Sequence, residues 1–597
     1  MKKNSSLRKA LFAQALLSFS AVGIFSQTID LGHIVTVIEN SGKVQTYISK
    51  EEIEKSPCHD LSSLLASKGF LVMSSGGSGT TSTLSAKGFS GFCCKVYIDG
   101  VAANQSGTGE FDWNSIDINS IESITINEVP DFSTDQFAGI SVNIKTRFVS
   151  EKSFSLKTLA SSYENSFLDT VTAAAEYRNF FFNTGIKINA EVKKSSNNYE
   201  TQNNSTLENN WSSLGNLSGS FNTFVNNSLA ISGTSKFFAN TVKAFNTGSS
   251  LDTGVEKAFN SFQNVKIHYI SGSGKIFSGN FTSQFNLIDY AESKNVREKI
   301  KIHQSDLFFT AENFYGFDGS STFTLENKIS GENKYRFHNT SKIFYTKDFS
   351  SWIKFSLGGG MIFSAKTDGK PEVEFLPQIT ISSAKIGLSL SAFREFTLPT
   401  FNQLYYEGSA GKGNENLTAE KGWALLGNWK SPFTFFPAEI SYTYGKYANK
   451  IRWAYKDGVL TPQNTGSGIF KTFCAKISKE FEYASFYGSI TNNQAKLENG
   501  KQIMWVPQWQ YTLSATVHFG KFADTSLSWN YTGKRPQDNA NLYWYDPVEN
   551  LQGSVRLYFN DFTLIFSADN LLDQRTVYHD SYPVPSRSFT AGFTFKK

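Results

Sequence analysis

From about residue 150 onward, hydrophobic and polar positions alternate with a period of two. Phe182, Thr184, Ile186, Ile188, Ala190 and Val192 fall on one side, with Asn183, Gly185, Lys187, Asn189 and Glu191 on the other. Ile386, Leu388, Leu390 and Ala392 alternate with Gly387, Ser389 and Ser391, and Tyr511, Leu513, Ala515, Val517 and Phe519 repeat the pattern. So do Leu527, Trp529 and Tyr531 against Ser526, Ser528 and Asn530, and Phe589, Ala591, Phe593 and Phe595 against Ser588, Thr590, Gly592 and Thr594. Successive side chains of a strand point to opposite faces, so each segment predicts one apolar and one polar surface. A soluble β-sandwich shares this alternation. Here the polar side is mostly Ser, Thr, Gly and Asn, suited to a wet lumen, and the pattern runs through residues 149–597. At about 20 residues per strand and turn, that length predicts an all-β transmembrane barrel of about 22 antiparallel strands.

Residues 49–148 read differently. Ser49 to Ser67 predicts a short strand or turn and then an amphipathic helix, with Ile53, Leu61, Leu64 and Leu65 as its apolar positions. Gly/Ser/Thr-rich loops follow at Ser74–Thr83 and Gln105–Gly109, with strands expected at Lys95–Ile98, Ile121–Asn127 and Ile140–Ile144. This is a small α+β domain ahead of the barrel. A lumen of that width leaks unless something fills it, so the domain is expected to sit inside as a plug.

The first 26 residues are set apart from both. Lys2, Lys3, Arg8 and Lys9 precede an apolar run from Ala10 to Phe25, the layout of a secretory signal peptide with cleavage after Ser26. Four of the five net positive charges sit in that segment, leaving about +1, so no nucleic-acid partner is expected. No later run approaches the roughly 20 apolar residues of a membrane-spanning helix. Aromatics make up 15% of the chain, 54 of them Phe, which suits an apolar outer face with aromatic girdles. Adjacent Cys93 and Cys94 rarely bridge each other, leaving open a bridge from Cys58 to one of them, while Cys474 stands apart. No GxSxG, HExxH, P-loop or EF-hand pattern is present and the seven His are scattered, so no enzymatic activity, cofactor or metal site is expected.

Four stretches, in order, resemble the TonB-dependent receptor family and together span almost the whole mature chain. Ile34, Val35, Thr36 and Val37 look like a TonB box, within a periplasmic coupling segment at 27–48. Val96–Val101, with its Asp99-Gly100 turn, and the later Ile121–Ile124 and Ala138–Thr146 are similar to the plug signature. Glu128-Val129-Pro130-Asp131 departs from the usual Arg-Gly-Pro turn. Phe393–Thr400, Asn402–Tyr405 and Gly413–Glu420 resemble a mid-barrel strand, its extracellular loop and the opening of the next strand. Ala568–Asp573 leads through Tyr582–Phe589 into a terminal strand that ends on Lys596-Lys597 where the family often ends on an aromatic.

The resemblance implies an outer-membrane importer that captures a scarce, bulky nutrient and draws energy from a TonB-type partner. An extended box of β-branched residues suits β-augmentation, in which the peptide adds a strand to the partner's sheet. Haem receptors place a His in the loop corresponding to Tyr406–Lys412; none is present, so haem drops in rank. Short length and the Gly/Ser plug loops lean toward cobalamin, with a ferric siderophore as the alternative, and a passive porin-like barrel or adhesin behind both. The candidate ligand contacts are Gly76, Gly77, Ser78, Gly79 and Thr80 in one loop and Ser106, Gly107, Thr108 and Gly109 in the other, where bare backbone and small hydroxyls can approach a large ligand.

Overall fold

The computed structural model describes residues 45–597 apart from 86–93, 106, 136–137, 148, 150, 165, 203–209, 244–253, 292–296, 368, 409–410 and 580–581. The signal segment, most of the coupling segment including Ile34–Val37, and Ser106 therefore lie outside the described residues.

The N-terminal domain is built on a five-stranded sheet. Its strands are β1 (Gln45–Ser49), β4 (Cys94–Ile98), β5 (Val101–Ala102), β6 (Ile121–Asn127) and β7 (Ile140–Thr146), in the order β1-β6-β7-β4-β5. A separate hairpin joins β2 (Leu71–Ser74) to β3 (Ser82–Ser85). The three strands expected from sequence are present as β4, β6 and β7. The single helix expected before Ser67 is instead two, α1 (Lys50–Lys55) and α2 (Leu61–Ala66). Pro57 explains the break: it lacks an N–H, and the residue before it, Ser56, is extended at φ −62°, ψ 145°. Each helix carries its own start signal. Ser49 and Glu52 form a capping box on α1, and Asp60 accepts from the Ser63 amide on α2. Ile53, Leu61, Leu64 and Leu65 all turn inward, joining Ile48, Val96, Ile124 and Val142 in one apolar core.

Around this domain, 22 antiparallel strands close into a barrel. Closure is made by the last strand, Ser588–Lys596, pairing with the first, Ser153–Tyr163. The connections alternate in length. At one end they are tight turns, such as Phe181 to Thr184 and Phe314 to Phe317; at the other they are longer, such as 398–419 and 449–467. The predicted sidedness holds. Leu513 and Leu527 are 48% and 50% exposed on the outer surface, whereas Thr512, Ser526 and Ser528 between them are at most 3% exposed against the lumen contents. Ile188 and Val192 likewise face out while Lys187 and Asn189 are buried inside. Two of the alternating series begin later than expected, at Thr184 and Leu388, because Phe182 and Gly387 occupy turns at φ +52° and +69°. Exposed Phe182, Tyr315, Phe349, Phe435 and Phe522 crowd the tight-turn end as an aromatic girdle.

Cys58 and Cys474 are free thiols, so Cys58 does not bridge Cys94; Cys93 lies outside the described residues.

Candidate functional site

The two glycine-rich plug loops reach toward the long-loop end of the barrel. In the loop between β2 and β3, the Ser75 amide donates to Thr81 O, and the Thr80 hydroxyl donates to Gly77 O at 2.7 Å. Gly76 and Gly79 take φ +128° and +78°, which L side chains rarely adopt. The loop is held by the wall rather than standing free. Asn197 and Ser212 donate to Ser78 O at 3.0 and 2.6 Å, and Asn240 donates to Gly79 O at 3.0 Å. A Cβ on Gly77 would lie 2.3 Å from Asn197 Oδ1, and one on Gly79 2.4 Å from Ser212 Oγ. Close approach of the barrel wall is therefore a sufficient reason for glycine at both positions.

The second loop is closed by the Gly109 amide donating to Gln105 O at 2.8 Å. Gly107 is buried, with Ile302 Cδ1 2.8 Å from where its Cβ would stand. Its carbonyl accepts from the Asn402 amide at 2.9 Å, which carries the third sequence motif onto the plug. Thr400 and Gln403 form a capping box that starts α3 (Phe401–Tyr405), and Phe401, Leu404 and Tyr405 pack with Ile302, Leu417 and Ile451. Arg336 donates to Glu326 and Pro399 O, while Lys328 donates to Tyr405 O at 2.8 Å. The segment expected as an extracellular loop thus folds inward and braces the plug from above. Asn197, Ser212 and Asn240 were not singled out by sequence, and the only signal they carried was a polar side chain on the lumen face; Asn402 was, but as part of a loop motif and not as a donor to the plug.

The structure does not bring the two glycine loops to one cavity. Gly76 to Thr80 line a lumen gap of about 270 Å³ between the plug and the wall, which also holds His59, Asp60, Asp117, Gln510 and Asn550. Gly109 borders a second gap of about 140 Å³, with Lys95, Asp135, Asp306, Glu326 and Arg336; Gly107 and Thr108 line neither.

Elsewhere the plug meets the wall through polar groups. Arg556 donates to Lys55 O at 2.9 Å and to Ser56 O, Lys342 to Asp131 O at 2.8 Å, and Gln378 to Pro130 O at 3.1 Å. The departing Pro130-Asp131 turn is thus a docking point through its backbone carbonyls. Burial, with Lys157 and Arg556, pushes His59 well below the usual imidazole range, and burial pushes the Cys58 thiol up to about 12. His59 is therefore a neutral hydrogen-bonding ring and Cys58 an inert thiol at ordinary pH. Among the described residues no cluster of three or more His, Cys, Asp or Glu is arranged to hold a metal.

Residues 36–136 match the TonB-dependent Receptor Plug Domain. No curated protein matches the sequence. Solved structures share the fold at low identity. The FrpB iron transporter from Neisseria meningitidis superposes with a TM-score of 0.76 at 10% identity, covering 93% of this chain and 99% of that one. The siderophore receptor PirA from Acinetobacter baumannii gives 0.74 at 12%, covering 93% and 98%. The ferric enterobactin receptor PfeA from Pseudomonas aeruginosa, as a mutant in complex with enterobactin, gives 0.74 at 13%, covering 93% and 99%. Residues 36–136 thus carry a TonB-dependent receptor plug domain, seated in a closed 22-stranded barrel whose outer face is apolar, and the whole chain shares the fold of those solved receptors and transporters.

Proposed function

We propose that the protein captures a ferric siderophore outside the cell and imports it with energy delivered through residues 27–48. In this reading residues 1–26 are a removed signal peptide, and Ile34–Val37 adds as a strand to a TonB-type protein in the periplasm. The carrying observation is the occluded lumen: the apolar-cored plug is bonded to the wall around its circumference, and α3 braces it from the mouth. A passive pore has no use for such a plug. The solved neighbours named for a siderophore, ferric enterobactin or iron favour iron cargo.

Cobalamin, favoured by the glycine loops in the sequence, is the second reading. It loses ground because wall contacts already require glycine at 77 and 79, and Ile302 crowds Gly107. Gly76–Thr80 remain candidate ligand contacts through the larger gap, and Gly107, Thr108 and Gly109 remain proposed contacts. Equilibrium binding of ferric chelates and cobalamin to one detergent-solubilised preparation tests this. A ferric chelate should bind with a dissociation constant of roughly nanomolar, about −12 kcal/mol, without competition from cobalamin. Tight binding of cobalamin alone would replace the siderophore reading with the second one.

A further inference from the structure

The charge of the lumen narrows the class of chelate, an inference that rests on the siderophore reading. The larger gap is faced by Gln510, Thr512, Asn530, Asn550 and Gln552, with Tyr163 and Tyr578 among its other lining residues. These are neutral hydrogen-bonding groups that can donate to or accept from carbonyl and amide limbs. The charged groups on its lining are the carboxylates of Asp60, Asp117, Glu191 and Asp569 and the ammonium groups of Lys157 and Lys193. All four carboxylates have fixed partners: Asp60 accepts from Ser62 and Ser63, Asp117 from Asn119 and Asn189, Glu191 from Asn216, and Asp569 from Asn550 and Gln552. Even if Glu191 and Asp569 were protonated, the two lysines would only balance the two remaining carboxylates. The smaller gap repeats this balance, with Asp135, Asp306 and Glu326 against Lys95 and Arg336.

Among the described residues, neither of these two gaps therefore offers surplus positive charge. Ferric chelates differ sharply on this point. Three catecholate dianions around Fe(III) leave a trianion, whereas three hydroxamate monoanions leave a neutral complex, or a cationic one where the scaffold carries an amine. In a partly dehydrated lumen, like charges repel far more than in water. We infer that the cargo is a neutral or cationic ferric hydroxamate, received at the larger gap through its carbonyl and amide limbs, and that ferric tris-catecholates are disfavoured. A gap of about 270 Å³ admits one limb of such a chelate, not the whole.

Quenching of tryptophan fluorescence in the detergent-solubilised protein tests this at about 150 mM salt, where surface charge is screened beyond ~8 Å. The probes are a neutral ferric trihydroxamate, a cationic one and a ferric tris-catecholate. Both hydroxamates should bind at least about tenfold more tightly than the catecholate. Asn550→Lys, checked for retained heat-modifiability, should shrink that ratio by adding a cation to the gap. A tris-catecholate that binds as tightly as the trihydroxamates overturns the inference while leaving the siderophore reading in place. A hydroxamate preference untouched by Asn550→Lys overturns its assignment to this gap. Failure of all three chelates to bind overturns the siderophore reading and this inference with it.

Discussion

The plug and the barrel use the same two classes of residue in opposite senses. In the plug, Leu61, Leu64, Val96 and Ile124 are sealed inside and the polar groups face out, as in a soluble domain. In the barrel, leucines and phenylalanines face outward, while Ser, Thr, Asn and Lys line the interior. The polar outside of one therefore meets the polar inside of the other. Their junction is rich in hydrogen bonds, such as Asn197 and Ser212 to Ser78 O, beside apolar contacts such as Val129 on the wall cluster of Phe393 and Phe470. Each such bond contributes only about 1 kcal/mol net, because water can replace it. On the proposed function, a plug that moves inside a fixed wall is well served by hydrogen bonds of this kind.

The largest test of this contrast removes one partner. Deleting residues 49–148 should leave a folded, heat-modifiable barrel and raise passive antibiotic permeability steeply, since the barrel's stability comes from its own closed ladder and lipid face. A barrel that fails to fold would show that the two regions are not independent. Next in size is Leu64→Ala in the plug core, where Leu64 is fully buried. It should cost about 2–5 kcal/mol of plug stability, read as protease sensitivity in the plug with the barrel intact. On the opposite surface, Leu527→Arg places a charge mid-strand on the lipid face. It should cost the barrel about 2–4 kcal/mol by denaturant titration in lipid, with the plug's protease resistance in the folded protein unchanged. The smallest effect is expected at the junction. Ser212→Ala removes one donor to Ser78 O and should weaken plug docking by only about 1 kcal/mol, visible as faster hydrogen exchange in the loop between β2 and β3.

How much of the molecule its sequence disclosed depends on how many environments a residue can occupy. A barrel side chain has two, outer face or lumen, so alternation at Leu513, Leu527 and Phe589 gave the sidedness directly, while length gave the size class and only the closed ladder settles the strand number at 22. The plug strands were marked by β-branched runs and the Asp99-Gly100 turn. The break between α1 and α2 was readable in Pro57 and Asp60 but was masked by the regular spacing of apolar residues across it. The site was less legible. Glycine serves a close ligand and a close wall equally well, so Gly77 and Gly79 could not declare which they meet. The docking of Phe401–Tyr405 onto Gly107 depends on a backbone amide at Asn402, and a backbone donor leaves no mark in a sequence.

The central claim is that this barrel is an energised importer whose plug is driven through Ile34–Val37. Proline at Val35 or Val37 removes a backbone donor and fixes φ, which blocks strand addition to a partner without touching the ligand face. The measurement is binding and accumulation of a radiolabelled ferric chelate in whole cells carrying either variant. Surface binding should match the parent while accumulation falls to background. Parental accumulation in both proline variants would contradict the account.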